Sequence, residues 1–359
     1  NARLREFLDR FGFEYEFISS TLCYQSGRFD EGIRRILQHW DDIRNVVGEI
    51  LGPERRATYC PLFPIVGPSP EWDPQRKIVL HNVMLEEIVD LQAGRVRFKV
   101  LHGPHEGKVF EHNVLAGGSK AQWRADWALR WYALDVDYEM SGVDLKSAAD
   151  IADKILKILG KRKPAGFHYE LFLDEKGEKI SKSKGNGLTM EQWLTYAPHE
   201  SLAYYMFQRP ASAKKLYFDI IPKAVDEYIT FVDKFDSQSD KEKLENPAWY
   251  IHGGQIPASQ RSPVSFALLL NLVNAAHTED PKVLWGFIRQ YSPQATPENA
   301  PFLDRLVGYA ITYYRDFILP NKKYRLPDER ERKALTDLAA RLKTMAAGQE
   351  PEVYMTEVF

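Results

Sequence analysis

At 359 residues the chain exceeds what one hydrophobic core usually organises, which points to two or three domains. Hydrophobic residues make up 44%, charged residues 27% and aromatic residues 13%, which excludes a disordered chain, and the longest apolar stretch, residues 264–273, falls far short of the roughly 20 residues that a bilayer requires. Two cysteines, Cys23 and Cys60, have no Cys or His at metal-ligand spacing and so point to neither a disulfide framework nor a bound zinc; this sparing use fits the cytoplasm, and a net charge of −2 cannot by itself argue for a nucleic-acid partner.

The chain opens on Asn1 and enters a helical pattern at once, with Leu4, Phe7 and Leu8 on one face and Gly12 as the stop, as though the sequence had been cut from a longer protein. Alternation of Phe13, Tyr15 and Phe17 with Glu14 and Glu16 predicts a strand over 13–18. Residues 28–51 read as one long amphipathic helix ending at Gly52-Pro53. Five prolines and one glycine make 61–74 a loop, after which 77–85, 95–101 and 108–114 carry the β-branched runs of a small antiparallel insertion.

A second α/β stretch begins near Gly117. Helices are predicted over 124–133 and 144–159, the latter striped by Ala148, Ile151, Ile155, Ile158 and Leu159, with extended chain over 136–140 and 169–173. A glycine-punctuated segment, 174–187, leads into a helix announced by the capping-box pair Thr189 and Gln192. Beyond about Ala197 the pattern is helical nearly to the end, and this shift marks a domain boundary, with a charge-dense, solvated segment at 236–246.

Three constellations carry chemistry. The sharpest is Lys179-Ile180-Ser181-Lys182-Ser183-Lys184-Gly185-Asn186-Gly187. Lysines supply mobile cationic donors, serines add hydroxyls, and glycines let backbone approach an anion, which suits the polyphosphate of ATP as its charge develops. It is not a P-loop, because G-x₄-G-K-[ST] is absent; a solvated hairpin tip would show the same lysines. The second is the helix after Gly117-Gly118, where Trp123, Trp127 and Trp131 recur every four residues. Such a stripe is often core, and Trp127 and Trp131 are read that way; Trp123 with Asp126, nearer the glycine turn, offers the aromatic wall and carboxylate that a lysine ammonium needs. The third is Ser141-Gly142-Val143-Asp144, where a strand end opens a helix and α/β sheets bind ligands. Gly142 permits close approach and Asp144 can hold ribose hydroxyls, although Asp144 is equally suited to capping the helix.

The segments QWRADWALRWYALDVDYEMSGVDL, YELFLDEKGEKISKSKGNGLTMEQWLTYA and AKKLYFDIIPKAVDEY resemble the class I, archaeal-type lysyl-tRNA synthetases, as do CYQSGRFDEGI and SPVSFALLLNLVNAA. Residues 58–116 match poorly, and Val143 and Leu145 stand where many members have Lys and His. The lysine cluster then corresponds to the K-M-S-K-S loop, with Ile180 replacing its Met; none of the nine histidines forms an H-I-G-H-like tetrad, which that family places earlier in its fold. The resemblance implies an α/β Rossmann-type catalytic domain with a β-containing insertion, followed by an all-α anticodon-binding region. The corresponding spans are 1–20 for the end of the first Rossmann half, 21–116 for the connective insertion, 117–197 for the second half with the KISKS loop, 198–235 for a helical junction, and 236–359 for the anticodon region.

The implied reaction is ATP-dependent activation of lysine to lysyl-adenylate, with Mg²⁺ accompanying ATP, and transfer to tRNA(Lys). The alternatives are another class I synthetase of glutamyl type, or an RNA-binding paralog without activity. Lys182 is the expected phosphate contact, with Lys179, Lys184, Ser181 and Ser183 in support and Ile180 beside ATP. Gly142 and Asp144 are expected at the adenosine ribose, and Trp123 and Asp126 at lysine. Basic residues among aromatics in the helical region, foremost Arg315, Lys322 and Lys323, with Arg209, Lys214, Lys215, Arg289, Arg305 and Arg325, are expected to meet tRNA phosphates.

Overall fold

The computed structural model describes residues 2–52, 56, 58–181, 184–345, 348, 353–354 and 356. They fall into two compact units, one of residues 12–171 and one of residues 2–11 with 172 onward. The cut after Leu171 lies inside the span 117–197 that the sequence suggests as one piece. In chain order, α1 is Ala2–Arg10, and α2 to α4 are Ser20–Gln25, Asp30–Gln38 and Trp40–Gly48.

The strand expected over 13–18 does not form. Alternation gives a segment two faces but does not by itself fix the backbone as a ladder strand. The helix expected over 28–51 is broken: His39 leaves helical geometry (φ −110°, ψ 30°) and ends α3 before α4 begins. Ile33, Ile36, Leu37 and Ile43 are nevertheless buried on both sides of the break.

Strands β1 to β6 are Leu62–Val66, Ile78–Val79, Val83–Asp90, Arg95–Val100, Val109–Asn113 and Ser119–Ala121. β1 is central to one antiparallel sheet, pairing β2 and β6, and β4 is central to another, between β3 and β5. In β4, Val96, Phe98 and Val100 point inward and alternate with charged residues, so its period of two matches a half-buried sheet. α5 is Trp123–Leu134 and α6 is Lys146–Ile158. Short parallel strands β7 (Ser141–Gly142) and β8 (His168–Tyr169) lie side by side, extended by the parallel bridge Tyr138 to Ala165. The core of this unit gathers α3 to α6 and the strands around Trp127, Leu129, Ile151, Ile155 and Phe98.

In the other unit, β9 (Phe172–Leu173) pairs in parallel with β10 (Lys214–Lys215). Helices α7 to α9 are Met190–Tyr196, His199–Phe207 and Ile220–Lys234. The predicted capping box at α7 is present in full, Thr189 and Gln192 satisfying each other's backbone N–H groups. Asp240–Glu245 (α10), Pro247–Ile251 (α11), Phe266–Ala276 (α12), Pro281–Tyr291 (α13), Pro301–Tyr313 (α14) and Glu329–Thr344 (α15) follow, and α14 continues as a π turn over Tyr314–Ile318. Tyr204, Tyr228, Phe266, Leu303 and Leu306 are almost wholly buried in the helical core.

Candidate functional site

The lysine loop is built on Asp174. One carboxylate oxygen accepts the Glu178 amide at 2.8 Å and the other accepts the Asn186 side-chain amide at 2.7 Å, so one residue ties both ends of the loop. The Asn186 bond foremost holds the Asp174 carboxyl below the usual range, so it is ionised at neutral pH. Asn186 in turn accepts the Ser181 amide at 3.1 Å. The Lys184 amide donates to the Ser181 hydroxyl at 3.3 Å, and the Lys184 ammonium lies 3.0 Å from Glu178. Lys179 is exposed and bridges Leu173, while the Ile180 amide donates to the Phe172 carbonyl at 3.3 Å. Ile180 turns inward as the apolar anchor, and Gly187 gives it room, because a Cβ there would come within 2.6 Å of the Ile180 Cγ2. Lys182 and Ser183 lie outside the described residues. Among the described residues, the two ends of the loop meet at the Asp174 carboxylate, with Lys179 and Lys184 beyond it.

Gly142 and Asp144 belong to residues 12–171, whereas the lysine loop belongs to the other unit. Gly142 ends β7, and a Cβ on it would lie 2.5 Å from an Asp144 carboxylate oxygen and 3.6 Å from the Tyr169 ring. A side chain here would have to displace the Asp144 carboxylate. Asp144 sits exposed in a 3₁₀ turn, Val143–Leu145, and does not cap α6; that position falls to Leu145, which has no side-chain cap. The capping alternative for Asp144 is thus removed.

On α5 the stripe divides by burial. Trp123 is 48% exposed, while Trp127 and Trp131 are 7% exposed. Asp126 is 4% exposed, and its two oxygens are engaged: one accepts the Tyr24 hydroxyl at 2.6 Å and the other pairs with Arg130 at 2.6 Å. The Tyr24 oxygen also accepts the Ala121 amide at 3.0 Å. Burial, with the adjacent Asp126 charge, pushes the Tyr24 hydroxyl far above its ordinary range, so it stays a donor. Position 126 on α5 faces α2, so Asp126 is turned inward against Tyr24.

A carboxylate that the sequence reading missed is Glu139, which accepts the Trp127 indole N–H at 3.2 Å and that of Trp131 more closely. Together with Ser141, Asp150, Asp153 and His168, these residues line a cavity of about 350 Å³. The Ser141 hydroxyl lies 2.9 Å from the His168 Nδ1. Period two along 139 and 141 was the available signal, since both side chains lie on the face opposite Tyr138 and Met140.

Among the basic residues expected at tRNA, Arg315 pairs with Glu279 at 2.8 Å. Lys322 donates to the Asn274 carbonyl at 2.9 Å and stands 5.2 Å over the Tyr314 ring. Lys323 is exposed and has no partner among the described residues. Two others are tied to partners within their own unit. Arg305 reaches the buried Glu200, and Lys214 is engaged by backbone carbonyls. Among the described residues, no group of three or more His, Cys, Asp or Glu is placed to hold a metal ion. The Cys60 thiol donates to the Leu62 carbonyl, and burial pushes it up to about 12, so it is no thiolate at neutral pH. No helix among the described residues is long and apolar enough to cross a membrane.

Comparison with known proteins bears on these features together. The family model described as "tRNA synthetases class I (K)" matches residues 1–255. A lysine–tRNA ligase of Rickettsia felis is 45% identical over 360 aligned residues, covering 100% of this chain and 66% of the relative. A lysine–tRNA ligase of Roseobacter denitrificans is 45% identical over 359 residues with the same coverage. The chain thus spans just under two thirds of the length of these curated relatives. A solved glutamate tRNA ligase from Elizabethkingia meningosepticum covers 88% of both chains at 11% identity and a TM-score of 0.33, a likeness too slight to argue from. On the family match and these relatives, the chain belongs to the class I tRNA synthetases (K).

Proposed function

We propose that the protein containing this chain is a lysine–tRNA ligase, which activates lysine with ATP to lysyl-adenylate and transfers the lysyl group to tRNA(Lys). The observation that carries this reading is the full-chain similarity to lysine–tRNA ligases, joined to a lysine loop whose hinge, Asp174 with Asn186, holds it as a defined hairpin. The lysine carboxylate attacks the α-phosphate of ATP, pyrophosphate leaves, and the enzyme contributes positioning and charge stabilisation without a covalent bond to a side chain. Mg²⁺ enters with ATP.

In this reading Lys182, supported by Lys179, Ser181, Ser183 and Lys184, meets the phosphates as their charge develops, with Ile180 packing the loop beside ATP. Gly142 and Asp144 hold the ribose, and the exposure of Trp123 suits it to wall the lysine side chain. Asp126 supports that wall from behind. Residues 21–116 act as a connective insertion, and the helices beyond 198 carry the tRNA contacts, with Lys323 the best placed of the three cations named above. The protein works in the cytoplasm.

The test is lysine-dependent ATP–pyrophosphate exchange by the full-length protein, run across all twenty amino acids. Exchange should respond to lysine alone, and Lys182→Ala should slow it about a hundredfold while lysine binding stays within twofold, because a contact made in the transition state lowers kcat more than ground-state affinity. Exchange driven by glutamate, or by no amino acid, would overturn the reading.

A further inference from the structure

We propose that Lys214 is a positioning residue for the lysine loop, fastening the stem from which that loop springs to the end of α8. The proposal rests on the reading of residues 174–187 as the ATP loop. The Lys214 ammonium donates to three backbone carbonyls in the last turn of α8 and just beyond it, those of Tyr205 at 2.5 Å, Gln208 at 2.6 Å and Met206 at 3.3 Å. A helix C-terminus leaves such carbonyls without intrahelical donors and carries partial negative charge, so a lysine there satisfies several acceptors at once.

The same side chain stands 5.0 Å from the centre of the Tyr205 ring and 5.7 Å from that of Phe172, the residue it faces in the parallel pairing of β9 with β10. The strand pair is short and leans on further bonds. The Leu216 amide donates to the Leu173 carbonyl at 2.7 Å, the Lys215 ammonium reaches the Glu175 carbonyl at 2.8 Å, and the Tyr205 hydroxyl bonds the Lys215 carbonyl. On its other side, β9 accepts the Ile180 amide and bridges Lys179. One route of contacts therefore runs from α8 through Lys214 and Phe172 to Ile180, the second residue of the lysine cluster.

Packing alone does not call for a lysine here. A methionine would fill the space between Phe172 and Tyr205 without the cost of desolvating an ammonium, a cost visible in the lowering of the Lys214 pKa to about 8 by burial. What the charge supplies is a directional tie to the three carbonyls.

Two measurements test this. In hydrogen exchange on the chain, Lys214→Met should raise the rates of the Ile180 and Leu216 amides at least tenfold while those in α9 and α14 keep their protection, and Lys214→Arg should leave all of them near wild type. In the full-length protein, Lys214→Met should lower kcat for lysine-dependent pyrophosphate exchange at least tenfold with KM for lysine within twofold, and Lys214→Arg should regain activity to within threefold. If Lys214→Met loses protection throughout the unit, Lys214→Gln, which keeps one donor, is read by the same two amides. Wild-type rates at Ile180 and Leu216, or a loss of kcat that arginine does not restore, would overturn the proposal. Failure of the functional reading is distinct: the unsubstituted protein would show no lysine-dependent exchange, whatever the two amides report.

Discussion

Each unit buries a carboxylate against an arginine, and the two solutions differ. Asp126 lies within one helix turn of its partner Arg130, and the Tyr24 hydroxyl takes its remaining oxygen, so the charge is satisfied on both sides. Glu200 is 3% exposed and draws its partners from distant segments, with one oxygen accepting from Gln260 and Arg305, each at 3.0 Å. Its other oxygen lies 3.3 Å from His199 and has no hydrogen-bond partner among the described residues. Burial raises the Glu200 carboxyl, but His199, its own backbone amide and Arg305 outweigh that and hold it below the ordinary glutamate range. The comparison teaches that a local pair fixes a helix face, whereas a pair between distant segments holds a tertiary arrangement together and leaves less to fall back on when one partner goes.

Arg305→Met should separate the two most sharply. Removing the arginine strands a buried charge, and because Arg305 is itself partly exposed, we expect a loss of about 2–3 kcal/mol in urea unfolding at pH 7. The pH dependence has a definite sign. A depressed carboxyl pKa contributes stability above the unfolded value of about 4.5, and that stability is lost as pH falls through the folded value. The gap between wild type and Arg305→Met should therefore narrow as pH falls below the ordinary glutamate range and Glu200 takes up a proton; a gap that does not narrow anywhere in acid would remove Glu200 as its source.

Tyr24→Phe should cost less, about 1–2 kcal/mol, because it bares one Asp126 oxygen and the Ala121 amide but leaves Arg130 in place. An effect as large as that of Arg305→Met would show that the local pair is no more self-sufficient than the distant one.

The smallest effect is expected at Trp123→Ala, less than about 1 kcal/mol, since nearly half of that side chain already faces solvent and its ring packs on that of Trp127. If Trp123 walls the lysine pocket, KM for lysine in the full-length protein should nevertheless rise at least fivefold. An unchanged KM would leave the tryptophan without a part in recognition.

Periodic patterns were legible in the sequence wherever one element met a single apolar surface. The α6 stripe, the α7 capping box and the alternation along β4 read directly, and burial of Trp127 and Trp131 followed from their spacing. What failed to read was whatever depended on a partner far along the chain. Residues 13–18 alternate like a strand but do not form one. The sequence could not show that Asp126 is bonded to Tyr24, 102 positions away. That Arg305 reaches a buried carboxylate and Lys214 a helix end could not be read, because composition does not show what lies opposite a cation. The lysine loop was visible as a cluster, but its hinge was not, since Asp174 and Asn186 are ordinary polar residues until the hairpin brings them together.

The parallel pairing of β9 with β10 has a consequence for synthesis. Lys215 reaches back 40 positions to Glu175, so the loop stem and the strand that completes it are made far apart in time. A ribosome adding about 5–20 residues each second delivers the loop, α7 and α8 before residues 214–216 emerge, and until then β9 has no parallel neighbour and α8 no lysine at its end. The last pieces of the stem arrive only after everything they fasten has been translated.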